Sequence, residues 1–233
     1  MSWLELPRIP EPEIMDDSGE VEAYASAAAQ KHLERIDDTF VEHALSLVRR
    51  RPQGRALDVG TGPGQIVLKL ATRLPGWQFV AVDHSPNMIR QARETLAAAA
   101  RTAPDLSRRV EFSVANGNRL NFPGATFDLV MCNSVLHHLA DPQRLLAEVA
   151  RLAKPGAAIL LRDLRRPSRL AFPVHIRWHG RNYSGTMYQL FCASVRSAYT
   201  LQEMESLLLA SPIRGARVFS HSSTHLGVAR HAE

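Results

Sequence analysis

The stretch ALDVGTGPG, residues 56–64, closes a short apolar run with three glycines set two residues apart. Glycine within a regular element costs about 0.5–1 kcal/mol relative to alanine, so its use here needs a reason. A tight strand-to-helix turn whose bare backbone approaches a ligand supplies one. The helical run QIVLKLATRL follows at once, so the order is strand, glycine turn, helix. In open α/β sheets, ligands sit beyond the carboxyl ends of the strands, which is where such a turn lies.

The rhythm continues down the chain. QFVAVD reads as a strand and PNMIRQARETLAAAA as a helix, RVEFSVA and FDLVMCN as strands, PQRLLAEVARLA as a helix and AAILLRDL as a further strand. Ser85–Pro86 and Asp141–Pro142 each place a capping residue before a proline at the first helical position. This alternation implies right-handed crossovers and a mostly parallel sheet with helices on both faces. TLQEMESLLLA resumes a helix, with Thr200 and Glu203 at capping-box spacing. GARVFSHS and THLGVAR are close enough for an antiparallel hairpin that finishes the sheet.

Two segments stand outside this rhythm. Residues 1–51 combine a proline-rich arm with a mostly helical stretch, and precede a main domain of 52–233. Residues 164–199 mix arginines, aromatics and glycines, and read as an insertion.

Composition narrows the class. A hydrophobic content of 45% and a charged content of 22% are those of a soluble globular protein. No run approaches the length of a membrane span, and the N-terminus is acidic and proline-broken, unlike a signal peptide. No membrane partner is therefore expected. Cys132 and Cys192 are too few for a disulfide framework or a cysteine zinc cluster, and a cytoplasmic location is the default expectation. The net charge of +5 rests on arginine, with lysine only at Lys31, Lys69 and Lys154. An arginine bias of this kind is not by itself a nucleic-acid signal, and none is expected as a partner; an oligomer stays open.

Two ligand classes suit the glycine turn. The dinucleotide fingerprint G-x-G-x-x-G places its third glycine where this chain has Gln65; here the glycines are Gly60, Gly62 and Gly64. A diphosphate also calls for a helix N-terminus facing the anion. S-adenosylmethionine carries no phosphate, and needs a cradle for its amino-acid end and an acid for its ribose. Asp83, at the end of QFVAVD, supplies that acid for either ligand. Asp58 discriminates better, because an acid inside an apolar strand is costly unless it serves a charge or a hydrogen-bond network. A ligand bearing an ammonium group gives it that purpose.

ALDVGTGPG, VAVDHSPNMI, FDLVMCNSVLHHLADP and LAKPGAAILLRDL occur in the order and spacing of the class I S-adenosylmethionine-dependent methyltransferases, which the chain resembles over about residues 54–163. The likeness is to the small-molecule group similar to ubiquinone/menaquinone methylases. It implies a Rossmann-like, seven-stranded, mostly parallel sheet of order 3-2-1-4-5-7-6. By the same resemblance, S-adenosylmethionine is the cofactor, with Gly60, Gly62 and Gly64 under its methionine part. Asp58 joins them, Asp83 holds the ribose and Met88 packs on the adenine. His84, Asn116, Gly117 and Asn133 complete the cofactor site. Asn116 stands where the family often has an aspartate, and His84 where an apolar residue is common.

The acceptor is less legible. Methyl transfer from a sulfonium needs mainly alignment and exclusion of water, so family members share a cofactor site without sharing a catalytic residue. His137 and His138, just past the fourth strand, are the candidate catalytic bases. Side chains of neighbouring residues are expected to diverge, so the pair is not read as a metal site. Residues 1–51 are expected to include a lid carrying Tyr24 to the substrate. Residues 164–199 are expected to form a substrate cap in which Arg177, Arg181 and Tyr183 hold a small, anionic acceptor. The competing readings are an RNA or protein methyltransferase and a catalytically silent nucleoside-binding protein. CNSV after the fourth strand lacks the sequence used on nucleic-acid bases, and the intact glycine turn argues against a silent site.

Overall fold

The computed structural model describes residues 4–11, 19 and 31–233. Helix α1 (Lys31–Val48) precedes the alternating unit. That unit comprises β1 (Gly54–Val59), α2 (Gln65–Arg73), β2 (Trp77–Asp83), α3 (Pro86–Ala99), the short α4 (Leu106–Arg109), β3 (Val110–Val114), β4 (Phe127–Asn133), α5 (Pro142–Leu152) and β5 (Ala153–Leu164). Two helices then interrupt it, α6 (Phe172–His179) and α7 (Gly185–Ser197), before α8 (Leu201–Ala210) and the strands β6 (Arg217–His221) and β7 (His225–Arg230).

The seven strands lie in the order β3-β2-β1-β4-β5-β7-β6. β7 runs opposite to the other six strands, antiparallel to both β5 and β6. Side chains along a strand alternate between faces, and here the alternation sorts two separate cores. Ala56, Leu129 and Met131 face α1, α2 and α3, packing with Phe40, Leu70 and Ile89. Leu57, Val130 and Cys132 face α5 and α8, packing with Leu145, Val149 and Met204. The caps expected from the sequence form: Ser85 accepts from Met88 N–H, Asp141 from Gln143 N–H, and Thr200 with Glu203 closes a capping box.

Residues 165–199 leave and re-enter the sheet at one place, where Arg165 bridges Tyr199. Arg166 is 3% exposed and pins this base. Its guanidinium donates to Leu6 O, to Ala198 O and to Glu203 Oε1. Residues 4–11 form the extended arm expected of the N-terminus and lie across the insertion. Ile9 N–H donates to Arg196 O, Arg169 N–H to Leu4 O, and Arg8 to Ser197 O and His137 O. No helix among the described residues is long and apolar enough to cross a membrane.

Candidate active site

β1, β2 and β4 end on one edge of the sheet, and the loops that follow them line a single cavity of about 450 Å³. Such a volume lies within the usual range for small-molecule sites, roughly 300–1,000 Å³. The glycine turn shapes one end. Gly60 has φ 75° and a Cβ there would overlap Val135 Cγ2, so both conformation and space demand glycine. Gly60 and Thr61 N–H groups both donate to Val82 O at 2.8 and 3.0 Å, which folds the turn back over β2. Gly62 N–H donates to Asp83 Oδ2 at 2.8 Å and Ser85 N–H to Oδ1 at 3.0 Å. The two bonds fix the Asp83 carboxylate at the cavity wall. Burial raises its pKa, against the backbone N–H groups that lower it.

His84, Met88, Asn116, Gly117 and Asn133 line the same cavity. Asn116 Oδ1 accepts from Asn118 N–H at 2.9 Å, an Asx turn that leaves Asn118 beside it on the cavity wall. Asn118 Oδ1 is buried and has no hydrogen-bond partner among the described residues. Asn133 Oδ1 accepts from Arg162 Nε at 2.9 Å. Arg162, 2% exposed, also donates to Thr39 Oγ1 and Ile36 O and lies over the Phe40 ring. This one side chain ties α1 to the rim. α1 in turn brings Leu33, Ile36 and Asp37 to the cavity, and burial pushes the Asp37 carboxyl up to about 6.

The far end of the cavity holds a chain of alternating acids and imidazoles. Asp163, on β5 and fully buried, sets Oδ1 at 2.5 Å from His137 Nδ1 and accepts from the His137 backbone N–H through Oδ2. Glu11 of the N-terminal arm reaches His138 Nδ1 at 2.8 Å and His137 Nε2 at 3.4 Å. Burial alone would lower the His137 pKa; the Asp163 and Glu11 carboxylates outweigh it and raise it to about 9. Burial likewise opposes the charge on Glu11, yet the two imidazoles bring that carboxyl down to about 2. The rings of His137 and His138 lie 4.1 Å apart and share Glu11, so these neighbouring side chains converge where divergence was expected. The cause is the 3-10 turn Leu136–His138 together with an acid that draws both rings. The donor atoms of Glu11, His137 and His138 lie within 4.8 Å of one another, a spacing that could hold a cation. Asp163 and Glu11 already face the two ring nitrogens of His137, and Glu11 also takes His138 Nδ1, so these groups satisfy one another.

α6 and α7 roof this end. His175 and His179 face the cavity with Tyr183, Met187, Leu190 and Phe191. The His175 and His179 rings are 4.6 Å apart, and burial brings the His175 pKa down to about 4.

Comparison with known proteins agrees with this arrangement. Residues 57–161 match the family model described as a methyltransferase domain. Residues 57–161 are a methyltransferase domain. An uncharacterized methyltransferase of Schizosaccharomyces pombe is 30% identical over 148 residues, 64% of this chain and 52% of that protein. The demethylmenaquinone methyltransferase of Thermus thermophilus is 32% identical over 134 residues, 58% of each chain. This chain thus spans little more than half the length of the curated relatives it matches. The crystal structure of the plantazolicin methyltransferase BpumL with a triazolic analogue and S-adenosylhomocysteine has a TM-score of 0.69 at 14% identity, covering 92% of each chain. That likeness bears on the fold. The strand order of this chain is the one the sequence resemblance implied.

The residues present suit the cofactor of this methyltransferase domain, S-adenosylmethionine. A cradle that a Cβ would fill at Gly60, an acid braced by two backbone N–H groups, and the orphaned Asn118 oxygen all face one cavity. Two expected cofactor residues are elsewhere. Asp58 is 3% exposed and does not line the cavity, because strand alternation turns it with Ala56 toward the helices; burial pushes its carboxyl up to about 7. Gly64 lies behind the wall as the left-handed N-cap of α2, where a Cβ would come within 2.7 Å of Phe112 Cζ. Packing, rather than a ligand, demands that glycine.

Of the expected substrate residues, Tyr183 lines the cavity and Tyr24 lies outside the described residues. Arg177 and Arg181 do not line it. They border a shallow groove on the outer side of the insertion, and Arg181 stacks on Trp178 at 4.2 Å. Helical geometry explains this: His175 and His179, four apart, share the inner face of α6, and Arg177 midway between them points outward. Glu11 and Asp163 went unread in the sequence.

Proposed function

We propose that the chain is an S-adenosylmethionine-dependent methyltransferase acting on a small, largely apolar acceptor that carries a hydroxyl group. One observation carries this reading: the glycine–Asp83 end and His138, whose Nδ1 is held by Glu11, face the same roofed cavity. Gly60 and Gly62 lie under the methionine portion of the cofactor, Asp83 accepts from its ribose hydroxyls, and Met88 with Asn118 meets the adenine. When bound, the cofactor supplies a methyl group on a sulfonium that departs as a neutral thioether.

The protein's own work is positioning and proton handling. His137 is 2% exposed and held at both ring nitrogens, so it serves as scaffold. His138 is more open, with 19% of its side chain exposed, and Glu11 fixes its Nδ1. Its Nε2 is then the atom that takes the acceptor's hydroxyl proton, with Glu11 stabilising the imidazolium that forms. Leu139, Met187, Leu190 and Phe191 exclude water around the acceptor. The anionic acceptor expected from the arginines loses its carriers, since Arg177 and Arg181 face away.

The test is transfer of a labelled methyl group from S-adenosylmethionine to a panel of apolar phenols and alcohols, with total RNA and total protein as parallel acceptors. Turnover on the small hydroxyl compounds that falls about 10²–10⁴-fold in His138→Ala, at unchanged S-adenosylhomocysteine affinity, supports the reading. Transfer confined to RNA or protein, or full turnover in His138→Ala, refutes it.

A further inference from the structure

The inner face of α6 belongs to the cavity, and its outer face carries an unusual set of side chains. Leu170, Val174 and Trp178 are 64%, 70% and 60% exposed. A single turn leads into α6: the Ser168 carbonyl accepts from Phe172 N–H, and Ala171 O accepts from His175 N–H. Val174 and Trp178, four apart, share one face of α6, and Leu170 sits in the turn that leads into it. Arg169, Arg177 and Arg181 flank these residues, and Arg181 lies flat on the Trp178 ring. Residues 164–202 contain no aspartate or glutamate.

We infer that this face docks on an anionic lipid surface, with Leu170, Val174 and Trp178 set into the headgroup layer and the arginines on lipid phosphates. A short helix with an apolar stripe edged by arginine, and a tryptophan whose ring is apolar at one end and polar at the other, is the chemistry of an interfacial helix. A second copy of this chain fits less well, because a two-fold contact through the patch brings together two arginine-bearing faces with no acid between them. The docked helix is also the roof of the cavity, so the bilayer would lie directly against the wall that His175 and His179 line from within. The inference concerns the outer surface alone and does not depend on which acceptor is methylated.

The experiment is vesicle flotation of the full chain, with vesicles of phosphatidylcholine alone and of equal parts phosphatidylcholine and phosphatidylglycerol. Binding is expected to the anionic vesicles only, and to weaken as salt rises. Arg177→Gln with Arg181→Gln should weaken it about 25-fold, roughly fivefold for each arginine near the surface. Val174→Asp and Trp178→Asp should each abolish it while S-adenosylhomocysteine binding, measured calorimetrically, stays at the parent value. Retained cofactor binding shows that these variants fold and keeps the result separate from the methyltransferase reading. The inference is overturned by no flotation of the parent protein or by equal binding to both vesicle types. Flotation untouched by the two aspartate variants, or a dimer lost in Val174→Asp without vesicle binding, overturns it equally.

Discussion

Replacing Asp163 by asparagine should change how stability depends on pH more than it changes the shape of the protein. The His137 pKa stands at about 9 in the folded state, against an ordinary value of 6.5. A group whose folded pKa is raised stabilises the fold while protonated, fully so below pH 6.5, and the contribution is lost as pH rises through 9. At about 1.4 kcal/mol per unit, the shift from 6.5 to about 9 corresponds to roughly 3 kcal/mol. The same order follows independently from the cost of breaking a buried ion pair by removing one partner, about 3–5 kcal/mol. The asparagine side chain would keep the size of the aspartate and an acceptor for the His137 backbone N–H, so the main loss is charge. Urea unfolding of the parent and of Asp163→Asn at pH 6 and pH 10 gives the comparison. The parent should be more stable by about 3 kcal/mol at pH 6, and most of that advantage should vanish at pH 10. Lysine, tyrosine and cysteine titrate in both proteins and cancel in the difference. A parent-minus-variant gap that is the same at both pH values refutes the assignment of a charged, carboxylate-bound His137.

Three further outcomes follow from the site. Asp83→Ala should weaken S-adenosylhomocysteine by roughly a hundredfold or more in calorimetry, since two hydrogen bonds to a charged acceptor are worth roughly 1.5–3 kcal/mol each. An unchanged affinity in a folded variant removes its ribose role. Gly60→Ala forces a side chain onto Val135 in a left-handed turn, so the melting temperature and cofactor affinity should fall together; loss of neither counts against the cradle. Glu11→Gln should lower kcat less than His138→Ala does, and shift the acid limb of the kcat–pH profile, because a neutral amide no longer stabilises the imidazolium. A profile identical to the parent's leaves Glu11 without a part in proton transfer.

The sheet was legible because its strands are short apolar runs between recognisable caps and turns, and strand order came with the resemblance carried by four motifs. Individual side chains were less so, for reasons that differ. Asp58 and Asp83 look alike as acids at the ends of strands, yet alternation buries one toward the helices and leaves the other at the cavity wall. Gly64 shares a motif with Gly60 and Gly62, but what it must avoid is Phe112, a residue of another strand. Asp163 is an ordinary letter in LLRDL until β5 lies beside β4 and the loop after β4 drops His137 onto it. Glu11 is unreadable for the same reason, as the arm finds its place only against the folded insertion. His175 and His179 could have been found: their spacing of four was present in the sequence, and the arginines between and after them drew attention to the wrong face.

The bridge between Arg165 and Tyr199 makes the insertion a detour with a single doorway. The path out and the path back meet at one point on the sheet edge, where Arg166 ties both to Glu203 and to the arm. Whatever lies between the two posts can be lengthened, shortened or rebuilt without moving β5 or α8, and a doubling in length costs only about 0.6 kcal/mol of closure entropy. The half of the molecule that holds the nucleoside has no such freedom, because its turns are fixed by close approaches that a single methyl group would spoil. One chain thus joins a part whose turns tolerate little revision to a part whose length and sequence are free to change, with the boundary drawn at one pair of residues.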